Sequence, residues 1–514
     1  MPSELHGCVV ETRSSLAGRY LIVLAVAGTL YAIGCAPGAL WQDSGLIQYR
    51  VWHSDIEGFL GLAISHPLYY IVAIGAGLMP FGELAHRVNL VSAVAAAVAV
   101  ANLYLLVRLW LGREFPAIIA AVTLALSHTF WQHASVAETY TLWTALFLAE
   151  LIMLLQYSRT RKVGYLYLLG LLNGLAIAVH MLASIALVCY AAFVVLLLAK
   201  RTIRCRDAAV IAVLWIVGAL PYAYLIVTNI VRSGDVLGTL ASAAFADRWR
   251  GDVLNTSLSW KIVKENLLYI ALNFPTPNLL LLFAGGYALY RIKPAPAFRN
   301  VVLALLVLFF IFAFRYTVAD RYAFFIPFYS VAAIVIGAGA YEIQARVPHE
   351  ATPYTIALCS LLPVLVYTAA PLVAERMHMQ IGTRGDIPYR DDYRYFLEPW
   401  KTGYDGADRF ADEALRGVEP NAIICADTTT VGPLLYVQEV KGVRPDVRVV
   451  TGIISSKDAP PYNRGLLELL IETQPVYVTS VRPGYCPPFV LEDYTLAKAG
   501  VLWRVEKPAS SVAR

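Results

Sequence analysis

The stretch at residues 41–70 reads WQDSGLIQYRVWHSDIEGFLGLAISHPLYY. It follows the first long apolar segment, so it leaves the membrane on the side that segment reaches. Asp43, His53, Asp55, Glu57 and His66 stand among aromatic and aliphatic residues, and Arg50 is the one basic residue. A spanning helix would not tolerate so many ionisable groups, each costing roughly 2.5–3.5 kcal/mol at the bilayer centre. A plain loop would be shorter and more polar. The stretch therefore predicts a long, partly amphipathic loop on the membrane surface, offering carboxylates near lipid headgroups. The blander reading is a solvated loop with scattered charges.

The rest of the composition fits a membrane setting. The chain has 514 residues, 58% hydrophobic and 15% charged, with a mean hydropathy of +0.60. Soluble domains carry about 25% charged residues, so a soluble enzyme is excluded. A net charge of +5 gives no sign of nucleic-acid binding. The seven cysteines (8, 35, 189, 205, 359, 425 and 486) show no CxxC spacing and read as small buried hydrophobes rather than a zinc site or a disulfide framework. An apolar run from about Tyr20 to Cys35 is too long for a signal-peptide core and is taken as a retained first helix.

Charge divides the chain. Residues 385–514 hold 15 Lys/Arg and 18 Asp/Glu, against 41 and 36 in the whole sequence. The predicted domains are a transmembrane one over 1–380, with a long first outer loop at 38–86, and a soluble α/β one over 385–514. About 20 apolar residues span a bilayer, and eleven candidates fall near 20–37, 87–110, 115–131, 138–157, 164–180, 182–199, 208–229, 266–290, 300–318, 322–342 and 352–372. With a cytoplasmic N-terminus, the inner loops collect Arg108 and Arg113; Arg159, Arg161 and Lys162; Lys200, Arg201, Arg204 and Arg206; Arg291, Lys293 and Arg299; and Arg346. The first loop, the loop near 230–265 (with Asp247, Arg248 and Trp249) and the tail then lie outside. Residues 66–81, apolar but short and flanked by prolines, predict an interfacial or re-entrant helix. In the tail, strands are expected at 421–427, 447–453 and 475–481, and helices at 431–440 and 466–473, giving a partly parallel sheet.

Ionisable groups at helix ends on one membrane face are the candidate site, because burying them needs a reason. Asp43, His66, Glu83, His86, Arg87, Glu138, His180, Arg315, Asp320 and Arg321 all fall at or near the outer face. Arginine forks suit a phosphate, and a carboxylate beside them can act as base toward a hydroxyl. Each has a plainer role. Asp43 with Ser44 and Gly45 can form a turn, and S-V-A-E at 135–138 reads as a capping box. His180 can bridge helices, Arg321 can pair with Asp320, and Arg87 can snorkel to headgroups.

An Asp in the first outer loop of a many-helix protein, followed by a surface-lying helix, resembles the GT-C glycosyltransferases. More closely, the chain is similar to the protein O-mannosyltransferase-like membrane family. The matching pieces are Trp41–Gly45 (WQDSG), Ser65–Tyr69 (SHPLY), Arg87–Ala93 (RVNLVSA), Ser127–Leu142 (SHTFWQHASVAETYTL), Asn173–His180 (NGLAIAVH) and Asp320–Pro327 (DRYAFFIP). Two more lie in the tail, Glu419–Asp427 (EPNAIICAD) and Leu435–Val450 (LYVQEVKGVRPDVRVV). Leu46 stands where many relatives have Glu, and the run after His66-Pro67 is shortened. Both departures fall in the loop expected to shape the acceptor site.

The resemblance implies a multi-pass protein of a bacterial inner membrane that inverts a mannose-like sugar as it moves it. The donor would be a polyprenyl-phosphate sugar, and the acceptor a protein Ser/Thr hydroxyl or a glycan on the periplasmic face. Asp43 would take the acceptor proton. Arg321, with Arg87 or Arg315, would stabilise the departing lipid phosphate. His66, Glu138 and His180 would orient sugar and acceptor, with Asp320 beside them. No metal or other cofactor is required. The alternatives are a lipid-linked sugar transporter or flippase, disfavoured because neither inverted repeats nor broken helices are apparent, and a membrane-anchored binding protein, for which eleven helices are excessive.

Overall fold

The computed structural model describes residues 13–246, 250–292, 295–318, 320–382, 385–452 and 462–507. Cys8, Asp247, Arg248, Trp249 and Lys293, named above, lie outside the described residues, as does the last residue of the expected strand at 447–453. All eleven expected spans are helical, and the chain is an integral, multi-pass membrane protein. Six are single helices long and apolar enough to cross a bilayer: α1 (Arg13–Gly34), α4 (Leu84–Leu111), α7 (Tyr140–Thr160), α16 (Pro296–Arg315), α17 (Ile326–Arg346) and α18 (Ala351–Arg376). Two, α8 (Gly164–Val179) and α9 (Ala183–Ala199), are shorter.

The remaining three are bent, which corrects the expectation of unbroken helices. α5 (Glu114–Ala125) turns 67° into α6 (His128–Ala134), α10 (Cys205–Gly218) turns 72° into α11 (Leu220–Ser233), and α14 (Trp260–Asn273) turns 113° into Pro277–Arg291, whose α-helical part is α15 (Leu281–Arg291). Local chemistry explains each. Ser127 hydrogen-bonds back to the Leu124 carbonyl at the first break, Pro221 opens α11 at the second, and Pro275 and Pro277 bracket the third.

The first outer loop is also not an open surface strap. It folds into α2 (Gln42–Trp52), a short 3-10 turn and α3 (Pro67–Gly77), a short apolar helix where the sequence predicts an interfacial or re-entrant one. Residues Ser44–Val51 of α2 are buried, between α3 and α4 on one side and the tail helix α21 (Val431–Glu439) on the other. The covering is tight because both contacts are glycines. A Cβ on Gly432 would lie 2.7 Å from the Gly45 carbonyl carbon, and one on Gly45 would lie 2.2 Å from the Leu40 carbonyl oxygen. The glycine of WQDSG is thus required by packing. In the segment after α11, α12 (Val236–Phe245) packs on the 3-10 turn Leu62–Ile64, and a short helix, α13 (Arg250–Val253), follows it.

The tail carries a five-stranded sheet in the order β2-β1-β3-β5-β4. β1 (Ile423–Ala426) pairs parallel with β2 (Arg448–Thr451) and β3 (Val476–Val478), the three strands expected from sequence. An antiparallel hairpin, β4 (Thr495–Ala499) and β5 (Leu502–Glu506), turning at Gly500 with φ +59, completes the sheet. One sheet face builds its own core with α22 (Arg464–Thr473). On the other, α20 (Gly406–Arg416) and α21 share a continuous core with the membrane helices.

Candidate functional site

A cavity of about 780 Å³ lies where α2, α3, the bend of α5 and α6, the start of α7, the loop before α17 and the tail meet. The carboxyl end of β1, where the parallel order changes direction, points toward it. Thr428 lines the wall, and the Thr429 carbonyl accepts the Gln42 amide at 3.1 Å. Open α/β sheets bind ligands at this kind of switch point. Gln42 itself holds φ +57, and His66 holds φ +53 immediately before Pro67, both unfavourable for residues other than glycine. Such backbone strain clusters where side chains must be aimed, and these two residues flank or form the candidate site.

Five carboxylates line the cavity; Glu57 and Glu265 are paired with Arg232 and Arg321, and Asp43, Glu138 and Asp320 have no ion-pair partner among the described residues. Asp43 and Asp320 are exposed to its interior while lying deep in the protein. Burial, with the nearby Asp320 charge second, pushes the Asp43 carboxyl up to about 6. Burial also raises Glu138 well above the usual range, with Asp43 and Asp320 adding to it, and raises Asp320. The arrangement separates roles at neutral pH. Asp43, at about 6, is largely ionised and basic, whereas burial and the neighbouring carboxylates push Glu138 toward its protonated, hydrogen-bond-donating form. The capping box expected at 135–138 is not formed. Ser135 bonds to the Trp131 carbonyl at 3.0 Å, and the Glu138 amide donates to Ser92 at 2.9 Å, which leaves the Glu138 carboxyl in the cavity.

Facing the acids are two neutral histidines. His66 and His180 lie 4.8 Å apart between ring centroids. Nδ1 of His66 donates to the Val179 carbonyl at 2.8 Å, and Nδ1 of His180 accepts the Leu182 amide at 3.1 Å. The first ring therefore keeps Nε2 as an acceptor and the second keeps Nε2–H as a donor. Burial lowers His66 to about 4 and also lowers His180, so neither carries charge at pH 7. Tyr140 and Phe324 pack against His180 at 5.0 and 6.1 Å and give the wall an aromatic face.

The arginines sit elsewhere. Arg87 donates to the Met79 and Phe81 carbonyls and holds the turn after α3. Arg315 donates to the carbonyls of Val253 and Asn255 at 2.6 and 2.7 Å. Arg321 does not pair with its neighbour Asp320; it is bound by Glu265 and Asn266. None of the three lines the cavity. Glu83 joins Lys441 and Tyr436 of the tail, and His86 bonds the Ala36 carbonyl at 2.9 Å. Among the other ionisable residues of 41–70, His53 pairs with Glu439, Asp55 with Arg50 and Glu57 with Arg232. Sequence reasoning passed over His128, Gln132 and His133, which line the cavity. Their helical spacing within SHTFWQHASVAETYTL was a visible signal. It also passed over Tyr395 and Lys401, for which the sequence offers none.

Residues 62–204 match the family profile described as Protein O-mannosyl-transferase TMEM260 N-terminal domain. The chain is similar to the protein O-mannosyltransferases. The matched segment contains SHPLY, RVNLVSA, SHTFWQHASVAETYTL and NGLAIAVH, while WQDSG, DRYAFFIP and the tail pieces fall outside it. The fold is that of ArnT from Cupriavidus metallidurans, a GT-C fold. Its structure bound to undecaprenyl phosphate superposes with a TM-score of 0.62 at 14% identity, covering 96% of this chain and 98% of that one. The apo state gives 0.62 at 14% identity, with coverages of 96% and 99%. The archaeal oligosaccharyltransferase AglB from Archaeoglobus fulgidus, in complex with an inhibitory peptide and a dolichol-phosphate, gives 0.49 at 14% identity over 89% of this chain and 69% of that one.

Proposed function

We propose that the protein is an inverting glycosyltransferase that takes a sugar from a polyprenyl-phosphate carrier. The acceptor is a hydroxyl, a protein Ser or Thr in the first instance, and the reaction occurs on the extracytoplasmic face. The observation that carries this reading is the Asp43 carboxylate, open to the cavity and without a side-chain partner among the described residues. The acceptor O–H proton passes to Asp43 as the oxygen attacks the anomeric carbon. The bond from that carbon to the phosphate oxygen breaks, and polyprenyl phosphate leaves with the bonding pair. A single displacement of this kind inverts the anomeric centre. Glu138 as a neutral acid, with the His66 acceptor and the His180 donor, fits sugar hydroxyls, which offer and take hydrogen bonds without charge. The likeness to protein O-mannosyltransferases supports a mannose-like sugar, and the undecaprenyl phosphate held by ArnT supports a lipid-phosphate donor.

The basic-residue asymmetry supports a cytoplasmic N-terminus and an outer tail. The tail supplies part of the cavity wall, which suits a role in placing the acceptor. The three bent spans are a feature shared with secondary transporters, in which a cavity carboxylate can relay protons, so release of lipid phosphate together with sugar transfer is what separates the two readings. The test is to incubate the purified protein in detergent with a panel of polyprenyl-phosphate sugars and Ser/Thr peptides. Free lipid phosphate and glycosylated peptide are expected together. A carrier yields neither, because detergent leaves no second compartment.

A further inference from the structure

The three arginines that the sequence offers for the leaving phosphate are held outside the cavity, so its counter-charge must come from elsewhere. Among the described residues lining the cavity, the Lys and Arg side chains are Arg50 and Lys401. Arg50 is spoken for: Nε and Nη2 bond the Asp55 carboxylate and carbonyl, each at 3.2 Å, and Nη1 bonds the Tyr70 hydroxyl at 2.7 Å. Lys401 differs. It is 3% exposed, its ammonium donates to the carbonyls of Glu398 and Trp400, and no carboxylate among the described residues lies within ion-pair distance of it. Two carbonyls occupy two of its three N–H groups. A buried charge without a counter-ion is strongly disfavoured, and burial brings the Lys401 ammonium down to about 7, with Glu398 opposing. Tyr395, 5.4 Å from the ammonium, and His128 and His133 are the other titratable groups around it.

Its height in the molecule is fixed as well. The Lys401 amide donates to the Gly34 carbonyl at 2.7 Å, and the Thr402 hydroxyl donates to the Ile33 carbonyl at 2.6 Å. Gly34 ends α1, the first membrane span, so Lys401 stands at the level of the lipid headgroups. We infer that Lys401 binds the phosphate of the lipid carrier inside this cavity, an assignment that rests on the glycosyltransferase reading above. An arriving phosphate supplies the missing counter-ion and accepts the third N–H in a charge-assisted bond.

The test uses full-length protein in detergent, with tryptophan fluorescence reporting the binding of undecaprenyl phosphate, the neutral undecaprenol and phosphatidylglycerol. Wild-type protein is expected to prefer undecaprenyl phosphate. Lys401→Met, which keeps the apolar stem, is expected to weaken that lipid at least about 10-fold and leave undecaprenol unchanged. A wild-type protein that binds the phosphate no better than the alcohol overturns the lipid-phosphate reading and this assignment with it. A selective wild type with an equally selective Lys401→Met overturns the assignment alone. Equal loss of both lipids in the variant gives Lys401 a packing role and also overturns it. Competition by phosphatidylglycerol as strong as by undecaprenyl phosphate makes this a site for bulk headgroups, and the carrier assignment fails.

Discussion

Replacing Asp43 with Asn isolates the base. Asn keeps the size of the side chain and removes its charge and nearly all its basicity. The structure says folding should not suffer. Among the described residues the Asp43 carboxylate makes no side-chain hydrogen bond, and burial, with the Asp320 charge second, disfavours its ionised form. Removing the charge is therefore neutral or mildly favourable to stability. Transfer should fall by at least roughly 100-fold, the low end of the 10²–10⁴ that base catalysis commonly contributes. The wild-type pH profile gives a second reading. A base raised to about 6 is protonated and idle below that value, so the rate climbs as pH rises through about 6, and it falls again above about 7 at low donor concentration as the phosphate-binding Lys401 loses its charge. His66, already neutral above about 4, adds no inflection between pH 5 and 8. The assay is release of polyprenyl phosphate from a radiolabelled donor, run from pH 5 to 8. Glu138→Gln keeps a hydrogen-bond donor in place of the protonated acid and should cost far less. Asp55→Asn disturbs an ion pair with Arg50, and with it the amide hydrogen bonds of Glu57 and Gly58, but no reacting group. Near-normal transfer by Asp43→Asn alongside abolition by Glu138→Gln or Asp55→Asn would refute the assignment.

The other expectations can be checked alongside it. Gly432→Val places a side chain where a Cβ alone would meet the Gly45 backbone at 2.7 Å. It should lower stability by about 1–3 kcal/mol and shift α2 enough to reduce transfer, whereas Gly75→Ala, in helix α3 with open space around it, should leave the rate unchanged and not lower the melting temperature, because Ala is the better helix former. Reporter fusions after Lys200 should read cytoplasmic and those after Gly382 extracytoplasmic, and finding both on one side would remove the membrane map. Residues 385–514 expressed alone should give a mixed α/β circular dichroism spectrum. They should also bind a hydrophobic dye, because α20 and α21 lose the membrane-domain side of their shared core; a dye-free soluble domain would show that this face closes by itself.

What could be read from sequence follows from how each feature is encoded. Apolar helices are written in runs of apolar residues, so a helix stands at each expected position, yet their bends depend on single residues such as Ser127 and Pro221 that hydropathy averages away. The first three strands were legible as short apolar runs. The hairpin at 495–506 was not, because both strands lie near the sheet edge and carry Lys498, Arg504 and Glu506. Asp43, His66, Glu138, His180 and Asp320 were found together because ionisable groups at helix ends stand out against a hydrophobic background, and one cavity does collect them. The arginines stood out for the same reason and were misplaced, since charge in a sequence says nothing of which carbonyl or carboxylate will claim it.

Lys401 reverses that lesson. It sits in a tail rich in charge, where one more lysine carries no signal, and only the fold folds it back onto the end of α1 and strips it of water. The division into a membrane domain and a soluble tail is itself what hid it. That boundary is real in composition, but the cavity crosses it. The tail reaches the site through Lys401, Tyr395 and Thr428, and it holds α2 through Thr429 and Gly432. A tail that merely captured acceptors could be tethered loosely. One that completes the cavity wall and fixes the helix bearing the base must be docked before the reaction begins, so its interface with α2 belongs to the site as much as Asp43 does.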